Sequence, residues 1–156
     1  MPIFDHRASG TIMKIITDMD FLKEECKEVR TMAEGEEIGL ALLNILKAHP
    51  DGVGLSANQI GIKKRVCVIK VSESIVLVNP KIISKFQKIN YKEACLSFPG
   101  TYITTERYAN IMVKADNHDE TLLFSSEKNL LECVCVQHEI DHLNSITMFD
   151  RKIKEE

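Results

Sequence analysis

The stretch "VQHEIDHLNS", residues 136–145, constrains this chain more than any other. It sets His138 and His142 four positions apart, with Glu139 directly after the first. A helix turns every ~3.6 residues, so side chains at this spacing stack on one face and two imidazoles can converge on a single ion. Leu131 and Cys135 continue that face toward the N-terminus, so the histidines are expected to point into the core. A lone histidine on an apolar face is ordinarily a buried, hydrogen-bonded side chain. A pair at this spacing with a glutamate between them is the H-E-x-x-H pattern of hydrolytic metal sites. Whatever the fold, it has to bury a polar helix face and bring a third ligand to it.

The rest of the composition leaves room for such a core. At 156 residues the chain reads as one domain, with residues 1–12 an N-terminal extension ahead of a single unit over 13–156 and Met13 an alternative start. With 44% apolar and 28% charged residues and a net charge of -3, it carries no basic footprint for nucleic acid. No apolar run approaches the ~18 residues of a membrane span. The first twenty residues lack the apolar core of a secretion signal, so a cytoplasmic location is expected. Five cysteines, Cys26, Cys67, Cys95, Cys133 and Cys135, are an odd number without an export signal, which points to free thiols.

Hydrophobic periodicity supplies a coarse order of elements. "EEIGLALLNILKAHP" repeats apolar residues at Ile38, Leu42, Ile45 and Leu46 and predicts a core-facing helix closing near Pro50. The charged, weakly amphipathic "DFLKEECKEVRTMAEG" precedes it, and "DGVGLSANQIG" reads as a glycine-punctuated loop. "RVCVIKV", "SIVLVNPKII", "NIMVKAD" and "TLLFS" are β-branched runs that read as strands. The last helix, "EKNLLECVCVQHEIDHLN", has Ser125 or Ser126 as its cap and ends near Asn144. The predicted class is α+β: antiparallel or mixed sheets packed around a central C-terminal helix that carries the H-E-x-x-H motif.

That helix cannot complete a metal site alone. Cys133 and Cys135 project to roughly opposite sides of it. Cys135 stands about 10 Å of helical rise from His142, against metal–ligand bonds near ~2 Å. The segment "YKEACLSFPG" offers Cys95 instead, in a loop-like setting bounded by Pro99 and Gly100. A thiolate and two neutral imidazoles with one position left for water is the pattern of a catalytic site. Other peptidases with this motif take a later ligand. The extended form needs a histidine where this chain has Met148, and only Glu155 and Glu156 remain as downstream glutamates. A closed, non-enzymatic four-ligand site lacks a second well-placed cysteine and leaves Glu139 without a role.

Three segments, Gly52 to Gln59 ("GVGLSANQ"), Glu93 to Ser97 ("EACLS") and Gln137 to His142 ("QHEIDH"), resemble the three signature motifs of peptide deformylases in order and spacing, over roughly Met13 to Phe149. The resemblance implies an enzyme that removes the N-formyl group from the initiator methionine of nascent polypeptides. It implies one divalent ion on Cys95, His138 and His142, Fe2+ in the cell, with Zn2+, Ni2+ or Co2+ found in purified protein. In the implied chemistry the ion acidifies a water that attacks the formyl carbonyl. Glu139 is general base and then acid, and Gln59 and the backbone N–H of Leu96 stabilise the oxyanion. Val53, Gly54, Leu131, Val134 and Cys135 fall at positions for the methionine pocket. Glu93 and Arg107 read as an internal ion pair bracing the Cys95 segment, or as a surface pair, and Asp141 as ordering the local network or, more simply, as a solvated acid. The implied partners are formyl-Met nascent peptides, with transient ribosome proximity, no nucleic acid or membrane partner, and a monomeric state.

The chain departs from the family pattern in three places. Ala94 stands where glycine is usual, at a cost of ~1 kcal/mol if that backbone needs a positive φ. Ser56 replaces a frequent alanine. The sequence ends fourteen residues after His142, without the long C-terminal helix of common bacterial forms, and so looks like the short, phage-encoded forms. Since no candidate site residue lies beyond His142, Lys152 to Glu156 are expected to be dispensable for turnover.

Overall fold

The run "VCVIK" is too apolar for a strand with one wet face, and β2 (Val66–Lys70) is buried from Val66 through Ile69. It is the middle strand of an antiparallel sheet, between β1 (Gly54–Ser56) and β3 (Ser74–Val78). A second antiparallel sheet holds β4 (Lys81–Cys95), β5 (Phe98–Lys114) and β6 (Leu122–Ser125), with β5 central. Along β5 the buried residues alternate, from Ile103 through Thr105, Arg107, Ala109 and Ile111 to Val113, as a pleated strand with one inner face requires. The computed structural model describes residues 14–154. The expected extension at 1–12, Met13, Glu155 and Glu156 lie outside the described residues.

Helix α3 (Ser126–Leu143) packs on both sheets. Its Cys133, Val136, Ile140 and Leu143 share one core with Cys67, Ile69 and Leu77 of the first sheet and Ile111, Val113 and Phe124 of the second. Helix α2 (Met32–Leu46) joins a second core with β2, turning Ile38, Leu42, Ile45 and Leu46 inward as the periodicity predicts. The α+β class therefore holds, with all sheet pairs antiparallel. Among the described residues no helix is long and apolar enough to cross a membrane.

Several elements differ from the sequence reading, each for a local reason. Helix α2 starts earlier than expected, because the Thr31 hydroxyl accepts from the Glu34 N–H at 3.1 Å. The charged stretch before it forms only a short turn of helix, α1 (Met19–Leu22). "SIVLVNPKII" is not one strand: Asn79 takes a φ of 50° and its side chain clamps both the N–H and the C=O of Val29. The chain thus leaves the first sheet before Pro80 and enters the second after it. "DGVGLSANQIG" is not a loop either, since it contains β1 and a buried 3-10 turn, Ala57–Ile60.

Cys95 closes β4 rather than sitting in a loop. Cys95 pairs with Phe98 across a two-residue turn at Leu96 and Ser97, and Pro99 and Gly100 already belong to β5. Ser125 caps α3 by accepting from the Lys128 N–H at 3.2 Å, but Asn129 then leaves helical geometry at φ -161° and ψ 98°. Its side-chain oxygen accepts from the Glu132 N–H at 3.1 Å and caps the helix a second time. Leu131 falls in the first turn after this new cap and is 39% exposed, so the inward face begins at Cys135 rather than at Leu131. The tail is not free: Lys152 bridges Thr105, and the Ile153 N–H donates to the Thr104 carbonyl at 3.1 Å.

Candidate metal centre

Two elements deliver the ligand candidates. Helix α3 presents His138 and His142 one turn apart, both buried, with ring centroids 4.9 Å apart. The end of β4 brings the Cys95 thiol to them. Among the described residues, Cys95, His138 and His142 form a cluster whose donor atoms all lie within 4.8 Å of one another. The two Nε2 atoms are 3.2 Å apart and Cys95 Sγ is 3.4 Å from His142 Nε2. A tetrahedral ion with ~2.0 Å bonds to nitrogen and ~2.3 Å to sulfur separates its ligands by about 3.3 and 3.5 Å. The donor set therefore fits a divalent cation by both chemistry and spacing. Cys135 is outside it: burial first, and then the neighbouring Glu139, push its thiol well up, so it stays protonated.

His138 is held from behind. Its Nδ1 lies 2.8 Å from Glu93 Oε1, which leaves Nε2 facing the cluster, the arrangement in which a carboxylate sets ring orientation and tautomer. Glu93 also accepts from Arg107 and from the Thr105 hydroxyl. Burial works against its ionisation, yet the Arg107 and His138 hydrogen bonds bring its carboxyl down to about 2. Glu93 and Arg107 are 3% and 2% exposed, so the pair is internal and not on the surface. Asp141 is not a solvated acid. It is buried and accepts from Arg107 Nη1 at 2.5 Å and from Arg151 at 3.0 and 3.1 Å.

Gln59 reaches the cluster through the 3-10 turn. Its Oε1 accepts from the Ser56 N–H and hydroxyl, both at 3.0 Å. Because a backbone N–H can only donate, this contact fixes which end of the amide is oxygen. Nε2 is then turned to Ser97 Oγ at 3.0 Å and Cys95 Sγ at 3.6 Å. Ser56 is thus more than a size match for alanine. Asn58 ties the same turn to α3 by donating to the His142 carbonyl at 2.9 Å. Leu96 is half-buried at the turn directly after Cys95. Ala94 does not have a positive φ and its side chain is exposed, so the alanine carries no left-handed penalty.

Glu139 is buried, and its Oε1 has no hydrogen-bond partner among the described residues. Burial raises its carboxyl to about 7, with the nearby His138 opposing the rise. Across from it Gly54 is buried, and a Cβ there would lie 2.6 Å from Cys135 Sγ and 2.8 Å from Glu139 Oε2. Of the expected pocket residues, Gly54, Val134 and Cys135 are buried, Val53 is half-buried and packs on the core, and Leu131 is exposed. The sequence reading missed Ser97, Thr105 and Arg151. One signal was present: Ser56 and Gln59 have the S-x-x-Q spacing of a capping box, which the turn indeed forms.

Comparison with known proteins agrees with this geometry. A sequence model of the family described as "Polypeptide deformylase" matches residues 12–156. Peptide deformylase of Hydrogenovibrio crunogenus is 37% identical over 134 residues, covering 83% of this chain and 78% of its own. That of Natranaerobius thermophilus is 37% identical over 144 residues, covering 90% and 92%. Among solved structures, peptide deformylase from Thermotoga maritima superposes with a TM-score of 0.80 at 28% identity, covering 92% of this chain and 99% of that one. The deformylase of the Vibrio parahaemolyticus bacteriophage VP16T, crystallised with actinonin, gives 0.77 at 30% identity, covering 86% and 99%. With the family match running almost the full length and joined to a cysteine–histidine cluster, the chain belongs to the polypeptide deformylase family, metal-dependent hydrolases that remove formyl from N-terminal methionine.

Proposed function

We propose that Cys95, His138 and His142 hold one divalent ion, and that Glu139, Gln59 and Leu96 carry out deformylation beside it. The observation that carries this reading is the convergence of Cys95 Sγ and two imidazole Nε2 atoms next to the Gln59 amide. A bound divalent cation supplies Lewis acidity and lowers the pKa of water toward ~7. Glu139 takes the proton of the attacking water and returns it to the amine as the formamide C–N bond breaks, leaving formate and a free amino terminus. Its buried oxygen without a partner among the described residues suits that duty, since a paired carboxylate would first have to release its partner. Gln59 Nε2 and the Leu96 N–H receive the charge that develops on the carbonyl oxygen. The Ser56 contacts keep the amide aimed without further reorganisation.

Val53, Gly54, Leu131, Val134 and Cys135 line the apolar side that accepts the methionine side chain of a nascent formyl-Met peptide. By family resemblance the proposed ion is Fe2+ in the cell; a thiolate with two imidazoles also accepts the Zn2+, Ni2+ or Co2+ proposed for purified protein. The same reading takes the enzyme as a cytoplasmic monomer that meets its substrate near the ribosome. It also takes it as akin to phage-encoded members; the chain covers 99% of the VP16T structure, and as much of the bacterial Thermotoga maritima structure. The test is formate release from a formyl-Met peptide by protein loaded anaerobically with Fe2+, beside the Zn2+ form. Turnover by the Fe2+ form that a chelator abolishes is the expected result. Absence of formate from a protein with stoichiometric metal overturns the proposal.

A further inference from the structure

We infer that the segment after the histidine helix, Met148–Ile153, is a brace for the metal ligands, with Arg151 as its positioning residue. The inference rests on the reading of Cys95, His138 and His142 as ligands. Three lines of contact run from this short segment to three parts of the site.

The first line is ionic. Arg151 grips both oxygens of Asp141 at 3.0 and 3.1 Å, and Asp141 Oδ2 accepts from Arg107 Nη1 at 2.5 Å. Arg107 in turn holds Glu93 with Nε and with Nη2, the latter at 2.8 Å, and Glu93 holds His138 Nδ1 at 2.8 Å. Two carboxylates and two guanidiniums thus connect the tail to a ligand ring with no net charge. The second line is backbone. Lys152 and Ile153 pair with Thr105 and Thr104 of β5, and the Thr105 hydroxyl donates to that same Glu93 carboxylate. The third is apolar. Met148 packs with Cys95 and Ile103, and Phe149 meets Phe98 edge-on at 4.8 Å, directly across the turn from Cys95.

The Arg107 guanidinium is a rigid planar fork shared between two acids. With Arg151 present, Asp141 is satisfied and Arg107 can stay squared on Glu93. With Arg151 absent, Asp141 retains only Arg107 among its side-chain partners, and any turn of the fork toward Asp141 takes Nε and Nη2 off Glu93. His138 then loses a fixed acceptor behind it, and carboxylate partners of this kind set both ligand orientation and metal affinity. The outer side of the brace borders a cavity of about 390 Å³ lined by Arg107, Gln137, Asp141, Arg151 and Lys152, among others. Shortening Arg151 therefore leaves no void in packed interior.

The experiment uses the full-length chain loaded with Co2+ and reads three things: the rate of Co2+ loss to a chelator, the visible Co2+–thiolate spectrum, and kcat against KM. Arg151→Ala is expected to release Co2+ about 3- to 30-fold faster, short of the ~10–100-fold of the direct partner Glu93, from which Arg151 is three links removed, with an altered spectrum and a fall in kcat. Arg151→Lys keeps the charge but not the fork, and falls between. In a Glu93→Gln background, Arg151→Ala should add little. Lys23→Ala, which unties Asp150 of the same turn from an exposed 2.6 Å pair, should leave release unchanged. A folded Arg151→Ala protein with wild-type release and spectrum overturns the inference, as does full additivity with Glu93→Gln or an equal effect of Lys23→Ala. If Arg151→Ala does not fold, Arg151→Lys decides on the same readouts. Wild-type protein that takes up no Co2+, or Cys95→Ser that keeps it, overturns the ligand reading itself and the brace with it.

Discussion

Gly54 gives a steric handle on Glu139 that replaces neither a proposed ligand nor the proton carrier itself. Its φ is not in the left-handed region, so an alanine meets no backbone penalty and the whole cost of Gly54→Ala is contact. The added methyl would sit 2.6 Å from Cys135 Sγ, 2.8 Å from Glu139 Oε2 and 3.0 Å from Glu139 Cγ. Favourable heavy-atom separations begin near ~3.5 Å, so both side chains must give by the better part of an ångström. Overpacking of this kind costs about 1–3 kcal/mol, which for a chain of this size lowers Tm by roughly 2–12 °C. A displacement of ~1 Å at a reacting group is worth about 10²-fold in rate, so kcat should fall by about that factor.

The assay is single-turnover formate release with metal analysis and a melting curve on the same preparations. Metal content should stay stoichiometric, since neither crowded side chain is a proposed ligand. Adding Cys135→Ala removes the sulfur contact but leaves the carboxylate contact, so the double variant should regain stability and not turnover. A Gly54→Ala enzyme that turns over within about twofold of wild type would refute the claim that the position of Glu139 against Gly54 limits the proton transfer. Recovery of turnover by Cys135→Ala would show that the crowding acts through the thiol instead.

Helix-borne parts of the site were legible because the helical period alone carries them. His138 and His142 share a face whatever surrounds them, and Cys133 and Cys135 could be set aside by rise and angle. Cys95 was legible as a residue but not as a place. Its neighbours Pro99 and Gly100 suggest a loop, and only pairing with β5 makes it the end of a strand. Asp141 was misjudged for a related reason. Its burial depends on Arg107, 34 positions away, and on Arg151, and a single sequence has no local signal for either. The burial of Leu131 was misread for a different reason. The i, i+4 spacing placed it on the inward face, but the Asn129 cap restarts the helix just before it and leaves that turn at the surface. Local patterns thus pointed to the candidate residues, while the contacts that aim them are largely long-range pairings of buried charge.

Four further outcomes follow from the site. Cys95→Ser is expected to lose the metal while Cys135→Ser keeps it in full, read by metal analysis after gel filtration; the reverse would move the ligand onto α3. Truncation after Ile153 should leave turnover of a small formyl-Met peptide unchanged, whereas truncation after Arg151, which removes the Lys152 and Ile153 pairing with β5, should slow it and speed metal loss. This narrows the expectation that everything from Lys152 onward is dispensable, and equal activity of both truncations would restore it. Glu139→Gln keeps the volume of the side chain but removes the basic oxygen, so turnover should drop by at least ~10²-fold with metal still bound. Gln59→Glu replaces the N–H donor facing Cys95 and Ser97 with a carboxylate oxygen and should cost a comparable ~10²–10³-fold. Both groups act on charge that appears only in the transition state, so KM should move far less than kcat in either variant. Near-normal turnover of Glu139→Gln would remove Glu139 from the proton path, and loss of its metal would mean that Glu139 helps to hold the ion.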